Sequence, residues 1–211
     1  MPSNVYFAKL KSGDSDKVVK EKLNALVDKS NALKFIKKGD FTGIKIHFGE
    51  EGNTGHIKAA WLEGLVERLR SITKNMFFTD TNVLYKESRR TNAVDHLKLA
   101  YEHGFSFDRY GVPVVIADGL WGRNFVEVEI KKRHFSKVKI ACDITDCDSL
   151  LALTHITGHI MTGFAGAIKN LGMGCASRRG KIEQHCGILP GFKSEFCSGC
   201  GACVVNCPAG C

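Results

Sequence analysis

Two hydrophobic periods take turns along this chain. Short apolar runs closed by a polar residue or a glycine occur at residues 5–10 (VYFAKL), 42–48 (TGIKIHF), 75–81 (NMFFTDT), 112–118 (VPVVIAD) and 149–156 (SLLALTHI), and each reads as a strand. Between them the apolar positions fall at helical spacing. Ser15 to Ala32 is helical through Val19, Leu23 and Leu26, and Asn92 to His103 through Val94, Leu97 and Tyr101. From Ile57 to Ile72, one face carries Ile57, Trp61, Leu65, Leu69 and Ile72. FVEVEI (125–130) and KVKIACDI (137–144) flank a KKRH turn and predict a hairpin. Strands spaced by helices predict an α/β domain with a mostly parallel sheet and helices on both faces. The pattern breaks near Gly187–Lys193, where Pro190 and two glycines intervene. We therefore expect an α/β domain over 1–190 and a truncated, ferredoxin-like cysteine segment over 191–211.

In open α/β sheets, ligands collect outside the carboxyl ends of the strands. This chain places a polar residue there four times, as His47, Asp80, Asp118 and His155. Any one of them can be a strand-end cap or a turn residue; together they predict a crevice lined with titratable groups. The glycine-rich loops match neither G-x-G-x-x-G nor the Walker lysine motif, which weighs against nicotinamide and nucleoside triphosphate ligands.

Residues 155–185 interleave His155, His159, Lys169 and His185 with Gly158, Gly163, Gly166, Gly172 and Gly174. From Thr162 onward, GFAGAIKNLG can begin a helix whose free N–H groups suit phosphate or carboxylate. Lys169, between Ile168 and the apolar Leu171, is a nucleophile if partly buried and a snorkelling surface lysine if not.

The most specific chemical signal is FCSGCGACVVNCPAG, with Cys197, Cys200, Cys203 and Cys207 followed by Pro208. This C-x2-C-x2-C-x3-C-P run is that of bacterial ferredoxins, where three thiolates hold corners of a 4Fe–4S cube and the fourth cysteine serves a second cluster. Gly199 and Gly201 relieve the loop, and Cys207 and Cys211 compete as further ligands. A structural zinc site pairs its ligands two by two across a long spacer, which this spacing does not. Cys142, Cys147, Cys175 and Cys186 have no mutual metal spacing and read as small hydrophobes.

Composition narrows the setting. The 211 residues are 44% hydrophobic, enough for one sizeable core and an appendage. No run approaches the length needed to span a bilayer, and MPSNVYFAKLKSG lacks a secretory h-region. Nine cysteines without an export signal point to a reducing cytoplasm rather than a disulfide framework. Thirty basic residues against 22 acidic give a net charge of +8, clustered at Lys37-Lys38, Arg89-Arg90, Lys131-Lys132-Arg133 and Arg178-Arg179 with Lys181. Any single cluster reads first as a solvated face. With no nucleic-acid motif present, a small anionic ligand or an acidic redox partner protein fits the excess better.

The blocks GEEGNTGHIKAAW, FFTDTNVLYKESRRTNAVDHLKLAYEHGF, VIADGLWGRNFVEVEI and THITGHIMTGFAGAIKNLGMGCASRRGK resemble the iron–sulfur proteins grouped as domain of unknown function 362. That resemblance covers nearly the whole chain and implies a cluster-binding, electron-transferring protein. Members commonly carry a two-motif ferredoxin module where this chain has one motif, which implies truncation. GFAGAIK is also similar, more distantly, to a segment of the lactate racemase N-terminal domain, whose lysine holds a nickel-containing nucleotide. By that similarity Lys169 would anchor the cofactor, His159 would act as acid/base and His185 would bind nickel. Ala167 and Met173 depart from that pattern, as does Thr79-Asp80-Thr81-Asn82 in place of a Gly-Thr-His-Arg loop. The similarity therefore implies shared ancestry of a site rather than a shared reaction.

Overall fold

A computed structural model of the chain describes residues 4–159, 162–185 and 191–206. The elements run α1 (Asp16–Ser30), β1 (Thr42–Ile46), α2 (Glu63–Ile72), β2 (Met76–Asp80), α3 (Ala93–Glu102), α4 (Phe107–Tyr110) and β3 (Val114–Ile116). They continue with β4 (Phe125–Glu129), β5 (Lys137–Ala141), α5 (Cys142–Thr145), β6 (Ser149–Leu153), β7 (Thr157–His159) and β8 (Gly163–Ala165). The last are α6 (Ala167–Gly172), α7 (Arg178–His185) and α8 (Ala202–Val205).

Local chemistry sets most of these limits. Ser15 caps α1 by accepting the Val18 N–H, and Asn31, at φ 50°, ends it in the left-handed region that asparagine tolerates. Asn92 caps α3 by accepting the Asp95 N–H. A single 3-10 turn, Ala59–Leu62, leads into α2. Leu62, Leu65, Val66 and Leu69 then form its buried stripe.

Four strands form a parallel sheet in the order β3-β2-β1-β6, with helices around it. All five residues of β1 are buried, as expected of a central parallel strand covered on both faces. Ile44, Ile46 and Phe48 join Phe78, Phe105, Tyr110 and the α2 stripe in the core. The predicted hairpin forms as the antiparallel pair β4–β5, and β7–β8 makes a second small ribbon.

Three expectations are corrected. Residues 5–10 form no strand: Val5 is 89% and Phe7 83% exposed, and none of the described residues supplies a hydrogen-bond ladder. The Lys9 carbonyl accepts instead from Lys22 Nζ on α1, which holds the segment beside a helix rather than a sheet edge. The strand of 149–156 stops at Leu153, leaving His155 beyond its end. The glycine-rich stretch pairs first, as Gly163–Ala165, and turns helical only at Ala167.

Candidate functional site

The chain runs outward from β1 to β2 and β3, then returns to add β6 on the other side of β1. At such a reversal the connections leave the sheet in opposite directions, and a crevice opens at the carboxyl ends. Here the crevice is a cavity of about 380 Å³. It is bounded by the ends of β1, β2 and β6, the loop after β1, and residues of α6 and α7.

Its floor is a buried ionic network. Lys45, in mid-strand and fully buried, donates to Asp80 Oδ1 at 2.9 Å and to Asn170 Oδ1 at 2.7 Å. Arg90 Nη1 donates to Asp80 Oδ2 at 3.2 Å, and its Nε donates to Glu50 Oε1 at 2.9 Å. Ser88 fixes the other Glu50 oxygen at 2.9 Å. His96 Nε2 lies 3.6 Å from Asp80 Oδ2, too far for a hydrogen bond, and its ring packs edge-on to Phe48. Lys181, 6% exposed, donates to Thr81 Oγ1 and to the Asn82 carbonyl. Asn170 Nδ2 ties α6 to the end of β6 through the Leu153 carbonyl and Thr154 Oγ1. Gly174 is required here, because a Cβ would lie 2.0 Å from the Asn170 carbonyl oxygen and 2.8 Å from Lys45 Nζ.

The rim carries the imidazoles. His47 Nδ1 accepts the Gly49 N–H at 3.0 Å, which leaves the proton of the neutral ring on Nε2. The His155 ring meets His47 edge-on at 5.4 Å, and its enclosed Nδ1 has no hydrogen-bond partner among the described residues. His159 Nδ1 accepts the Thr162 N–H at 3.3 Å. Lys169, half-buried, and the exposed His185 complete this side.

Burial and the cations govern titration. Burial, aided by Arg90, pushes His47 down to about 3, and burial, aided by Arg90, Lys181 and Lys45, carries His96 to about 3 against the pull of Asp80. Burial opposes ionisation of Asp80 too, but Lys45, His96 and Arg90 outweigh it and hold the carboxyl below its usual range. Burial lowers Lys181 to about 8, with Asp80 and Asp118 resisting. Lys169 and His155 are lowered by burial and then by Arg90. His185 is lowered by burial, then by Lys169 and His159, which places those three within electrostatic reach of each other.

Of the residues expected at the site, His47, Asp80, His155, His159, Gly166, Lys169 and His185 line this cavity. Asp118 and Gly163 lie outside its wall. Asp118 is buried and structural in its contacts: it accepts the Asn82 N–H and Nδ2 and, at 2.9 Å, the Arg178 N–H that opens α7. Lys45, Arg90 and Lys181 are additions. Lys181 belongs to a charge cluster expected on a solvated face and is instead buried. The one available signal for Lys45 was a lysine between two isoleucines of a strand, which also describes a half-exposed strand. In all, four cationic side chains (Lys45, Arg90, Lys169, Lys181) and two carboxylates (Glu50, Asp80) line the cavity.

Cys197, Cys200 and Cys203 are exposed free thiols, the first two ahead of α8 and Cys203 within it, and Gly199 and Gly201 between them take φ of 71° and 72°. Hydrogen bonds from the Ala202 N–H and then the Ser198 hydroxyl lower the Cys200 thiol, which favours the thiolate that iron requires. The donor chemistry therefore suits an iron–sulfur cluster. Among the described residues, however, no group of three or more His, Cys, Asp or Glu is gathered closely enough to hold a metal ion. Cys207 and Cys211, the expected further ligands, lie outside the described residues, as does Cys186. Cys175 is buried as expected, and Cys142 and Cys147 are half-buried. Among the described residues no helix is long and apolar enough to cross a membrane.

No curated protein and no solved structure matches the chain. The sequence profile of a domain of unknown function, DUF362, matches residues 42–206, from the first strand of the sheet through the cysteine loop, and the chain belongs to that family.

Proposed function

We propose that the protein binds a small anionic ligand or cofactor at the strand ends of its α/β domain and couples it to one-electron transfer through an iron–sulfur cluster on the cysteine segment. The observation that carries this reading is the cavity at the sheet's reversal, where four cations face two carboxylates. Such an excess in an enclosed, low-dielectric site favours an anion strongly. The neutral imidazole of His47 and the unpartnered His155 Nδ1 supply hydrogen-bonding positions that a ligand can use. Cys197, Cys200 and Cys203 are the residues that would hold the cluster, which supplies one-electron chemistry when bound. The test is metal and ligand content of the protein purified without oxygen. Iron near about four per chain, lost in Cys200→Ser, together with saturable anion binding, is the expected result. Iron-free protein in which Cys200→Ser changes nothing would remove electron transfer from the proposal.

A second reading rests on His159, Lys169 and His185 lining the same cavity. A nickel-containing nucleotide held covalently by Lys169, with His185 as a nickel ligand and His159 as acid/base, would use that side for chemistry on a hydroxy acid. It requires a mass adduct on the Lys169 peptide, and an unmodified peptide from protein expressed with nickel available would end it.

A further inference from the structure

The cavity has two levels of different character. Lys169, His155 and His159 at the rim are partly open to solvent, whereas Lys45 and Lys181 below them are 0% and 6% exposed. Two ammonium groups this deep need explanation, since an uncompensated buried charge costs several kcal/mol. Lys45 has its counter-charge in Asp80 at 2.9 Å. Lys181 has none within ion-pair distance among the described residues, and both its acceptors, Thr81 Oγ1 and the Asn82 carbonyl, are neutral. Asp80 and then Asp118 help from farther off, but Asp80 is engaged by Lys45 and Arg90, and Asp118 by Asn82 and the start of α7.

Donor counting leads to the same place. An ammonium has three N–H groups. Lys45 uses two, on Asp80 and Asn170, and Lys181 uses two, on Thr81 and Asn82. Each keeps one N–H without an acceptor among the described residues, and both side chains line the cavity. The two are linked through a single short strip of structure. Thr81 Oγ1, which accepts from Lys181, donates at 2.7 Å to the Gly174 carbonyl, and a Cβ on Gly174 would lie 2.8 Å from Lys45 Nζ. Arg90, with two of its five N–H groups unspent, stands on the Asp80 side of this strip.

We propose that Lys45 and Lys181 form an anchor for an oxyanion head group, a carboxylate or a phosphoryl group, at the floor of the cavity, which turns the rest of the ligand toward Lys169, His155 and His159. This deepens, and rests on, the reading of the cavity as an anion site. The spare N–H groups supply two charge-assisted hydrogen bonds, and the bound anion completes the neutralisation of Lys181. The ligand class that follows is a molecule with an oxyanion at one end and its reactive or recognised group at the other.

The test is calorimetric titration of the full chain with oxalate and with inorganic phosphate, in the wild type and in Lys181→Met and Lys169→Met. Loss of one charged hydrogen bond predicts that Lys181→Met weakens both anions by about tenfold or more. Lys169→Met should change them less. The tighter of the two anions identifies the head group as carboxylate or phosphoryl. A fold-independent measurement uses the wild type and Lys169→Met in buffers of different ionisation enthalpy. Oxalate binding by Lys169→Met between pH 7 and 10 should take up protons, because an anion beside Lys181 raises its proton affinity. Oxalate binding by Lys169→Met with no proton uptake anywhere between pH 7 and 10 would overturn the anchor, as would unchanged affinity in folded Lys181→Met; either leaves the anion site standing. Failure of the wild type to bind either anion would overturn both.

Discussion

Asp80 is the residue on which the floor of the cavity depends, and replacing it by asparagine isolates its charge while keeping its shape. Its carboxylate faces Lys45 at 2.9 Å and Arg90 at 3.2 Å, with side-chain exposures of 4%, 1% and 7% for the three residues. At an effective dielectric of about 20, the gross attraction across the shorter contact is about 6 kcal/mol, and across the longer about 5. Desolvation of the ions cancels much of that in the intact network, but the variant retains the desolvated cations and loses their counter-charge. Breaking a buried pair from one side costs about 3–5 kcal/mol. Asn170 still holds Lys45 and Glu50 still holds Arg90, so we expect the lower half of that range. For a domain of this size it corresponds to a fall in Tm of about 6–16 °C. Urea unfolding at pH 7 measures it directly, with Lys45→Met and the Asp80→Asn/Lys45→Met double variant completing a cycle. The double variant should be more stable than Asp80→Asn, since it removes the stranded cation. The sign with pH is fixed as well. The folded-state carboxyl titrates below its ordinary value, so the Asp80 contribution is complete above about pH 4 and disappears as pH falls through the folded value. A loss under about 1 kcal/mol in Asp80→Asn, with no recovery in the double variant, would refute the claim that this pair is buried and coupled.

Two further outcomes follow from the same floor. His47 and His96 titrate near 3 when folded and near 6.5 when unfolded, so the unfolded chain binds more protons between those values and stability falls as pH drops through that window. Each should contribute a slope of about 1.4 kcal/mol per pH unit, and His96→Leu should remove about half of their combined slope in denaturant titrations at pH 5 to 6. Gly174→Ala places a methyl group 2.0 Å from the Asn170 carbonyl oxygen, a backbone atom that cannot swing aside. We expect a cost of about 1–3 kcal/mol by thermal unfolding and weakened anion binding through displacement of Lys45; wild-type values for both would show that α6 yields freely.

What the sequence determined by itself was whatever depends on neighbours close along the chain. Apolar runs of period two and stripes of helical period gave the parallel α/β architecture and the β4–β5 hairpin. His47 and Asp80 could be placed at strand ends because a polar residue closing an apolar run needs no partner to be recognised, whereas His155 falls two residues past its strand. The close spacing of Cys197, Cys200 and Cys203 is likewise legible along the chain alone. Residues 5–10 show the limit of such reasoning: the pattern of a strand is present, but a strand also needs a neighbour, and among the described residues none pairs with it. The same holds, with larger energies, for the floor of the cavity. Lys45 and Asp80 are 35 residues apart, and Lys181 and Thr81 are 100 apart. Asp118 reads as a crevice residue until the fold brings the first N–H of α7, 60 residues later, against its carboxylate. Lysine and arginine have the same local pattern whether they face solvent or an interior. Only tertiary structure brings the carboxylates, amides and carbonyls that make burial of a charge tolerable, and so only tertiary structure decided which of this chain's many cations form a site.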